Sequence, residues 1–251
     1  MIDTVRAIER TSGTWDATAE RALAGSARRI RGLIVDLAKV VYDATAWRRK
    51  LWRLISRLGV GGTYAEFSQT WCRQYLADVR RGWRDHDEAL EAFLLAQGLT
   101  WAEIDEVEAA RRGFDALDDR CRPLPGASAT LAKLSALRLP IVAWADIPYP
   151  AARLERLLAD DGLTPHFRHL LCSFELGNTQ PAADCYRAGL EALQLPPDCV
   201  LYLGQDPESL TAAKALGLLT AALDVGQPVA ADFYLTRFDD LLSLARSKLS
   251  G

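Results

Sequence analysis

The sequence predicts an α/β fold: a doubly wound parallel sheet with an α-helical unit inserted after its first strand. Three observations predict it. An apolar run, Leu33-Ile34-Val35, ends in Asp36 near the start of the chain. Helical periodicity then fills residues 44–119. Beyond Pro123-Leu124-Pro125-Gly126, short apolar runs alternate with helix-like segments, the pattern of parallel strands joined by crossover helices.

Each element follows from local pattern. Residues 1–30 are polar, with a helical tendency around Ala17–Ile30, and read as an N-terminal extension. The unbroken apolar run over 32–36 is a buried strand. In the helical region, Trp47, Leu51, Leu54, Ile55 and Leu58 recur at three- and four-residue steps, the spacing of one helix face, until Gly59–Gly62 break the run. Phe67, Trp71, Tyr75 and Val79 mark a second helix, and Leu90, Phe93 and Leu94 a third that stops at Gly98. Thr100, with Glu103 three residues on, is a capping box that opens a fourth. Four such helices can bury a common face as a small bundle.

After the bundle come helix Ser128–Leu137, strand Leu139–Ala145, helix Ala151–Leu158 and strand Leu170–Cys172. Helix Ala182–Leu193, strand Val200–Leu203, helix Leu210–Leu216 and strand Leu219–Leu223 follow. The first strand precedes the bundle and the rest come after it, so the bundle interrupts the core. The predicted units are an extension (1–30), an α/β core (31–43 and 120–251) and a helical insert (44–119).

Composition narrows the function classes. The 251 residues exceed the ~100–200 of a usual domain and can bury a sizeable core. A net charge of −3 offers no bulk attraction to nucleic acid or to an anionic membrane. The basic clusters Arg28-Arg29, Arg48-Arg49-Lys50, Arg80-Arg81 and Arg111-Arg112 mostly have acidic neighbours and read as solvated helix faces. Cys72, Cys121, Cys172, Cys185 and Cys199 are odd in number and form no CxxC pair, which argues against a disulfide framework and a zinc knuckle. His166 and His169 stand three apart without an evident third metal ligand, so a surface or interface role is expected. The N-terminus lacks an apolar signal core, and no stretch approaches the ~18 apolar residues of a membrane span. The expectation is a soluble, cytoplasmic protein in a reducing compartment.

Chemistry in such a sheet sits outside the carboxyl ends of the strands. Four loops leave those ends, carrying Asp36, then Ala145-Asp146, then Gly177-Asn178-Thr179-Gln180-Pro181, then Gly204-Gln205-Asp206. The insertion would hang over the same edge as a lid. A carboxylate at the exit of a buried strand is costly unless it is paired, hydrogen-bonded or coordinating.

Four segments at those loops resemble the motifs of the haloacid dehalogenase superfamily. LIVDLAKVVYD resembles its first motif, a strand followed by DxDxT. LPIVAWADIP resembles the second, a strand ending in Ser or Thr. SFELGNTQPAADCYRAGLEAL resembles the third, Ser-x-Glu-x-Gly before Lys-Pro, and VLYLGQDPESLTAAKALGL the fourth, Gly-Asp before a second acid. The resemblance spans roughly residues 31–245 and implies a Rossmann-like core with a helical cap. It implies, too, an aspartate nucleophile that forms a covalent intermediate, a second aspartate as acid and base, and Mg²⁺ held by acids of the fourth motif.

Position by position, the resemblance implies that most of that set is replaced. Asp36 remains as candidate nucleophile. The acid/base position is Ala38 and the threonine position Val40. Ala145, followed by Asp146, falls at the second-motif hydroxyl, and Gln180 at the lysine. Gln205 falls at a metal aspartate, with Asp206 displaced by one, and the next acid position falls near Ser209 or Leu210. The expected state is a site that has lost its ion together with the groups that needed it, so no metal cofactor is expected. Lys39 is a candidate internal cation beside Asp36, or points to solvent at the hinge. Asp36 itself acts chemically or simply accepts backbone N–H bonds from the turn. Trp144, Ala145, Asp146, Asn178 and Gln180 are the candidate substrate-binding residues; Trp144 walls a pocket or fills the core, and Tyr149 can reach the same cleft.

Three readings follow. The first is a member that kept the fold, lost Mg²⁺-dependent phosphatase activity, and binds a small ligand in the cleft or a protein partner through the cap. The second is a metal-independent hydrolase resembling the 2-haloacid dehalogenases, with Asp36 attacking carbon and Arg48 or Arg49 offered from the cap. The third is assembly as a homo-oligomer, without a ligand.

Overall fold

In a computed structural model, six strands form one all-parallel sheet in the order β3-β2-β1-β4-β5-β6. They are β1 (Gly32–Asp36), β2 (Ile141–Ala145), β3 (His169–Cys172), β4 (Val200–Gly204), β5 (Leu219–Leu223) and β6 (Phe233–Leu235). The structure describes residues 29–38, 40–43, 45–118, 123–225 and 229–249. The predicted N-terminal extension lies outside the described residues except for positions 29 and 30, and so do Lys39 and Cys121.

Alternation along β1 divides the core. Leu33 and Val35 face a cluster with α6 (Ala127–Ala136), α7 (Ala151–Asp160) and α11 (Asp240–Leu249). Ile34 faces the opposite cluster with α9 (Ala183–Leu193) and α10 (Pro207–Ala215). Both faces of the sheet are thus covered, which is why its central strands carry near-continuous apolar runs. Helix α9 lies closest at Gly189, where a Cβ would stand 2.6 Å from Ile34 Cδ1. The strand order runs outward in opposite senses from β1 and β4, so the crevice of a doubly wound sheet opens where those two strands end.

Between β1 and β2 the chain forms α1 (Ala46–Arg57), α2 (Tyr64–Thr70), a π-helical turn (Trp71–Tyr75), α3 (Leu76–Arg80), α4 (His86–Ala96) and α5 (Trp101–Asp118). These helices have a core of their own around Leu51, Ile55, Trp71, Leu90 and Phe93. Thr63 with Glu66, and Thr100 with Glu103, make reciprocal capping bonds at the starts of α2 and α5. The insertion is tied at its root: Asp43 accepts from Thr45 N at 2.8 Å and pairs with Arg49 at 2.5 Å. Where the chain returns, Leu124 N donates to Val41 O at 2.7 Å.

The second predicted helix is interrupted by the π-helical turn. Its apolar residues, Phe67, Trp71, Tyr75 and Val79, are spaced by four, and in a regular helix a four-residue stripe drifts by about 40° per step. The wider π turn takes up drift and keeps the stripe inward. Three elements were not read from the sequence: β6, α11 and the short α8 (Ser173–Leu176). His166 lies in a 3₁₀ turn and His169 opens β3, so the pair does not share a helix; His166 Nδ1 is 3.1 Å from Ser135 Oγ instead. Among the described residues, no helix is long and apolar enough to cross a membrane.

Candidate active site between the sheet and the insertion

Asp36 ends β1 opposite Trp144 of β2. The backbone turns at once: Leu37 N bonds Trp144 O at 2.9 Å, and Val41 N and Tyr42 N both donate to Leu37 O. Within that turn Ala38 N donates to Asp36 Oδ1 at 3.2 Å. Burial, and then the charge of Asp146, push the Asp36 carboxyl up to about 7. Asp206 adds to the rise, while the Ala38 N–H and Arg80 oppose it.

Asp146 follows β2. Its Oδ1 accepts from Trp144 Nε1 at 3.1 Å and from Gln180 N at 3.4 Å. Burial raises this carboxyl as well, against the pull of Arg80 and those two bonds. Asp206 follows β4 and caps α10, with Ser209 N at 2.8 Å and Ser209 Oγ at 2.7 Å from Oδ2. Asp146 and Asp206, which stand beside the replaced motif positions in sequence, thus join Asp36 in space. Three neighbouring strands end at one edge, so the residues just past them meet, and the floor carries three acids. Among the described residues, no group of three His, Cys, Asp or Glu side chains is placed to hold a metal ion.

Above these acids lies a cleft of about 1050 Å³. Asp36, Ala38, Asp146 and Asp206 line its floor, and Tyr149 and Arg153 its core-side wall. Arg48, Arg73, Arg80 and Arg111 line it from the insertion. Reading the paired arginines as solvated faces is thus corrected for Arg48, Arg80 and Arg111. Arg49 and Arg81 do behave as surface groups: Arg49 pairs with Asp43, and Arg81 with Asp78 at 3.3 Å. Arg80 follows Leu76 by four residues and so shares its inward stripe; that spacing was the available signal.

The other predicted site residues are dispersed. Ala145 is fully buried at the end of β2. Trp144 fills the core on the α9 face and reaches the site only through its bond to Asp146. Gln180 contributes its backbone N–H to Asp146, and Asn178 Nδ2 turns to Asp184 at 3.3 Å. Ala145, Trp144, Asn178, Gln180 and Gln205 do not line the cleft, whereas Asp36, Asp146 and Asp206 do. Lys39, the candidate internal cation, lies outside the described residues; among them Arg80 is a cation whose charge reaches Asp36.

A model of the haloacid dehalogenase-like hydrolases matches residues 30–217. The chain belongs to that family.

As in other haloacid dehalogenase-like hydrolases, its sheet is Rossmann-like, as the sequence predicted. The chain is 29% identical over 149 residues to the enolase-phosphatase E1 of Stenotrophomonas maltophilia strain R551-3, a stretch covering 59% of this chain and 60% of that relative. It thus spans about three-fifths of the length of the curated relatives it matches. Among solved structures it resembles the L-2-haloacid dehalogenase PA0810, with 25% identity and a TM-score of 0.60 over 86% of this chain and 99% of the other. It also resembles the L-2-haloacid dehalogenase of Xanthobacter autotrophicus with chloropropionic acid covalently bound, at 21% identity and a TM-score of 0.63 over 86% and 98%. The last likeness is one of fold.

Proposed function

We propose that this hydrolase-family chain binds a small anionic molecule between its core and its helical cap, and that it has lost Mg²⁺-dependent phosphatase chemistry. The observation that carries this reading is the setting of Asp36. The carboxyl holds its proton up to about 7 beside Asp146 and Asp206, and the charge of Arg80 reaches it from the cap. Ala38, where an acid and base would stand, has no proton to transfer, and such a group is worth ~10²–10⁴ in rate. These donors suit Mg²⁺ poorly, because one oxygen of Asp146 and one of Asp206 are already held by N–H and O–H donors. The test is turnover of p-nitrophenyl phosphate by the full chain, with and without Mg²⁺. The expected result is no Mg²⁺-stimulated turnover; stimulated turnover that Asp36→Asn abolishes overturns the reading.

One observation favours a second reading. The likeness to an L-2-haloacid dehalogenase covers nearly all of that enzyme. On this reading ionised Asp36 attacks the halogen-bearing carbon, a C–O bond forms as the carbon–halogen bond breaks, and halide leaves. Water then cleaves the ester and restores Asp36. Halide release from 2-chloropropionate, lost in Asp36→Asn, supports it; a flat response across short 2-haloacids excludes it.

A further inference from the structure

Beneath the three acids lies a phenol with nothing to bond to. Tyr202 of β4 is fully buried on the face that α9 and α10 cover, and its Oη has no hydrogen-bond partner. Buried polar groups in folded proteins are almost always paired, so this one calls for an explanation.

Register says where the hydroxyl stands. Strands β1 and β4 pair Ile34 with Tyr202 and Val35 with Leu203, so Gly204 comes level with Asp36. Side chains alternate along a strand. Ile34 and Tyr202 pack in one cluster, and Asp36 and Gly204, two residues further on, belong to the same face. Gly204 has no side chain, and the phenol leans along its own strand into that place: a Cβ at Gly204 would lie 2.7 Å from Tyr202 Oη. The hydroxyl therefore reaches the level of Asp36 on the adjacent strand, neighbouring strands being about 4.8 Å apart.

Other acceptor groups nearby are taken. Asp146 Oδ1 holds Trp144 Nε1 and Gln180 N, and Asp206 Oδ2 holds Ser209 N and Oγ. Ser209 O takes the hydroxyl of Tyr186 at 2.9 Å, whose ring meets that of Tyr202 edge-on. The Gln180 and Ser209 side chains and the charge of Asp36 all act on the phenol, but none is placed to bond it. Burial first, and then the Asp36 charge, push its ionisation well above the ordinary phenol range, so it stays an O–H donor.

We infer that Tyr202 is a positioning residue for Asp36: its hydroxyl, filling the space that Gly204 leaves, donates a hydrogen bond to the Asp36 carboxylate when that group ionises. A phenol both donates and accepts, so it serves the protonated carboxyl as well. The inference concerns how Asp36 is held and stands under either reading of the cleft, which the Mg²⁺ and halide assays judge separately.

The test is carbon NMR of the full chain labelled at its aspartate carboxyls and tyrosine ring carbons, titrated from about pH 5 to 9. Asp36→Asn identifies the Asp36 signal by its loss. Tyr202→Phe keeps the ring and removes only the hydroxyl, so it should melt no lower than the parent. In it the Asp36 midpoint rises by about one pH unit, a roughly tenfold weaker acid, because a hydrogen bond to the charged form is gone. Asp146, Asp206, Arg80 and the Ala38 N–H act on Asp36 in both proteins, so the difference reads the phenol. In the parent, the Tyr202 ring carbon that bears the hydroxyl shifts with the Asp36 midpoint; in Asp36→Asn it stays flat. Two results overturn the inference: a midpoint in Tyr202→Phe that is unchanged or lower, or a Tyr202 signal indifferent to Asp36 ionisation. If Tyr202→Phe does not fold, the Tyr202 signal alone decides.

Discussion

The charge on Asp146 helps keep a proton on Asp36, across the ends of the adjacent strands β2 and β1. Each acid follows from its own loop, but the coupling exists because the two strands run parallel and stop together.

This coupling has a sign that melting can read. Burial first, and then Asp146, raise Asp36 from 3.8 to about 7. Between those values the folded state binds more protons than the unfolded one, so stability falls as pH rises through this window and levels off above it. Asp36→Asn removes the dependence. The variant is expected to be more stable than the parent by roughly 2–4 kcal/mol at pH 8, with the gap shrinking toward pH 4. Urea unfolding at several pH values checks this, and a gap that stays constant with pH contradicts it.

Asp43, at the root of the insertion, has the opposite sign. Partial burial raises its carboxyl, but hydrogen bonds from the Thr45 hydroxyl, Arg49 and Thr45 N–H outweigh that and hold it down at about 2. Its contribution is present above the unfolded value and is lost as pH falls through about 2. Both partners are partly exposed, so Asp43→Ala should cost only about 1 kcal/mol at neutral pH. Parent and variant should converge below pH 2, which denaturant melts will show.

Gly204 closes β4 under an aromatic ring. A Cβ there would meet the Tyr202 hydroxyl at 2.7 Å and ring carbons at 2.9 and 3.0 Å, and Tyr202 is fully buried. Gly204→Ala is expected to cost about 1–3 kcal/mol by overpacking. Gly61→Ala, in open space, should stay within about 0.5 kcal/mol of the parent. Thermal melts of the two variants side by side test the contrast.

Much of the fold was legible because its signals are local. Leu33-Ile34-Val35 reads as a strand, Thr100 with Glu103 as a helix start, and the change of rhythm after Pro123 as the return to the core. Phe233–Leu235 was harder, because a three-residue strand alternating buried, exposed and buried carries little periodicity. The π-helical turn escaped because apolar steps of four look like an ordinary helix until the drift is counted.

The candidate site was legible in part. Asp36 stood out as a carboxylate at a strand exit, and Asp146 and Asp206 fell in the right loops. Asn178 and Gln180 were expected in the cleft by position in a motif, but a loop position does not say which way a side chain turns. Arg48 was offered only as one of a pair with Arg49, and Arg80 was set aside with the other basic clusters for their acidic neighbours; a charge pair on a helix conceals which member faces in.

By itself the sequence determined the alternation of strands and helices, the interruption after the first strand, and the placing of Asp36 at a strand end. These depend on periodicity and turn chemistry within a few residues. Tertiary structure alone decided that Asp36, Asp146 and Asp206 share a floor, and that the charge of Arg80 reaches that floor from the insertion. Charge and desolvation act through space, between residues that the chain separates by up to 170 positions.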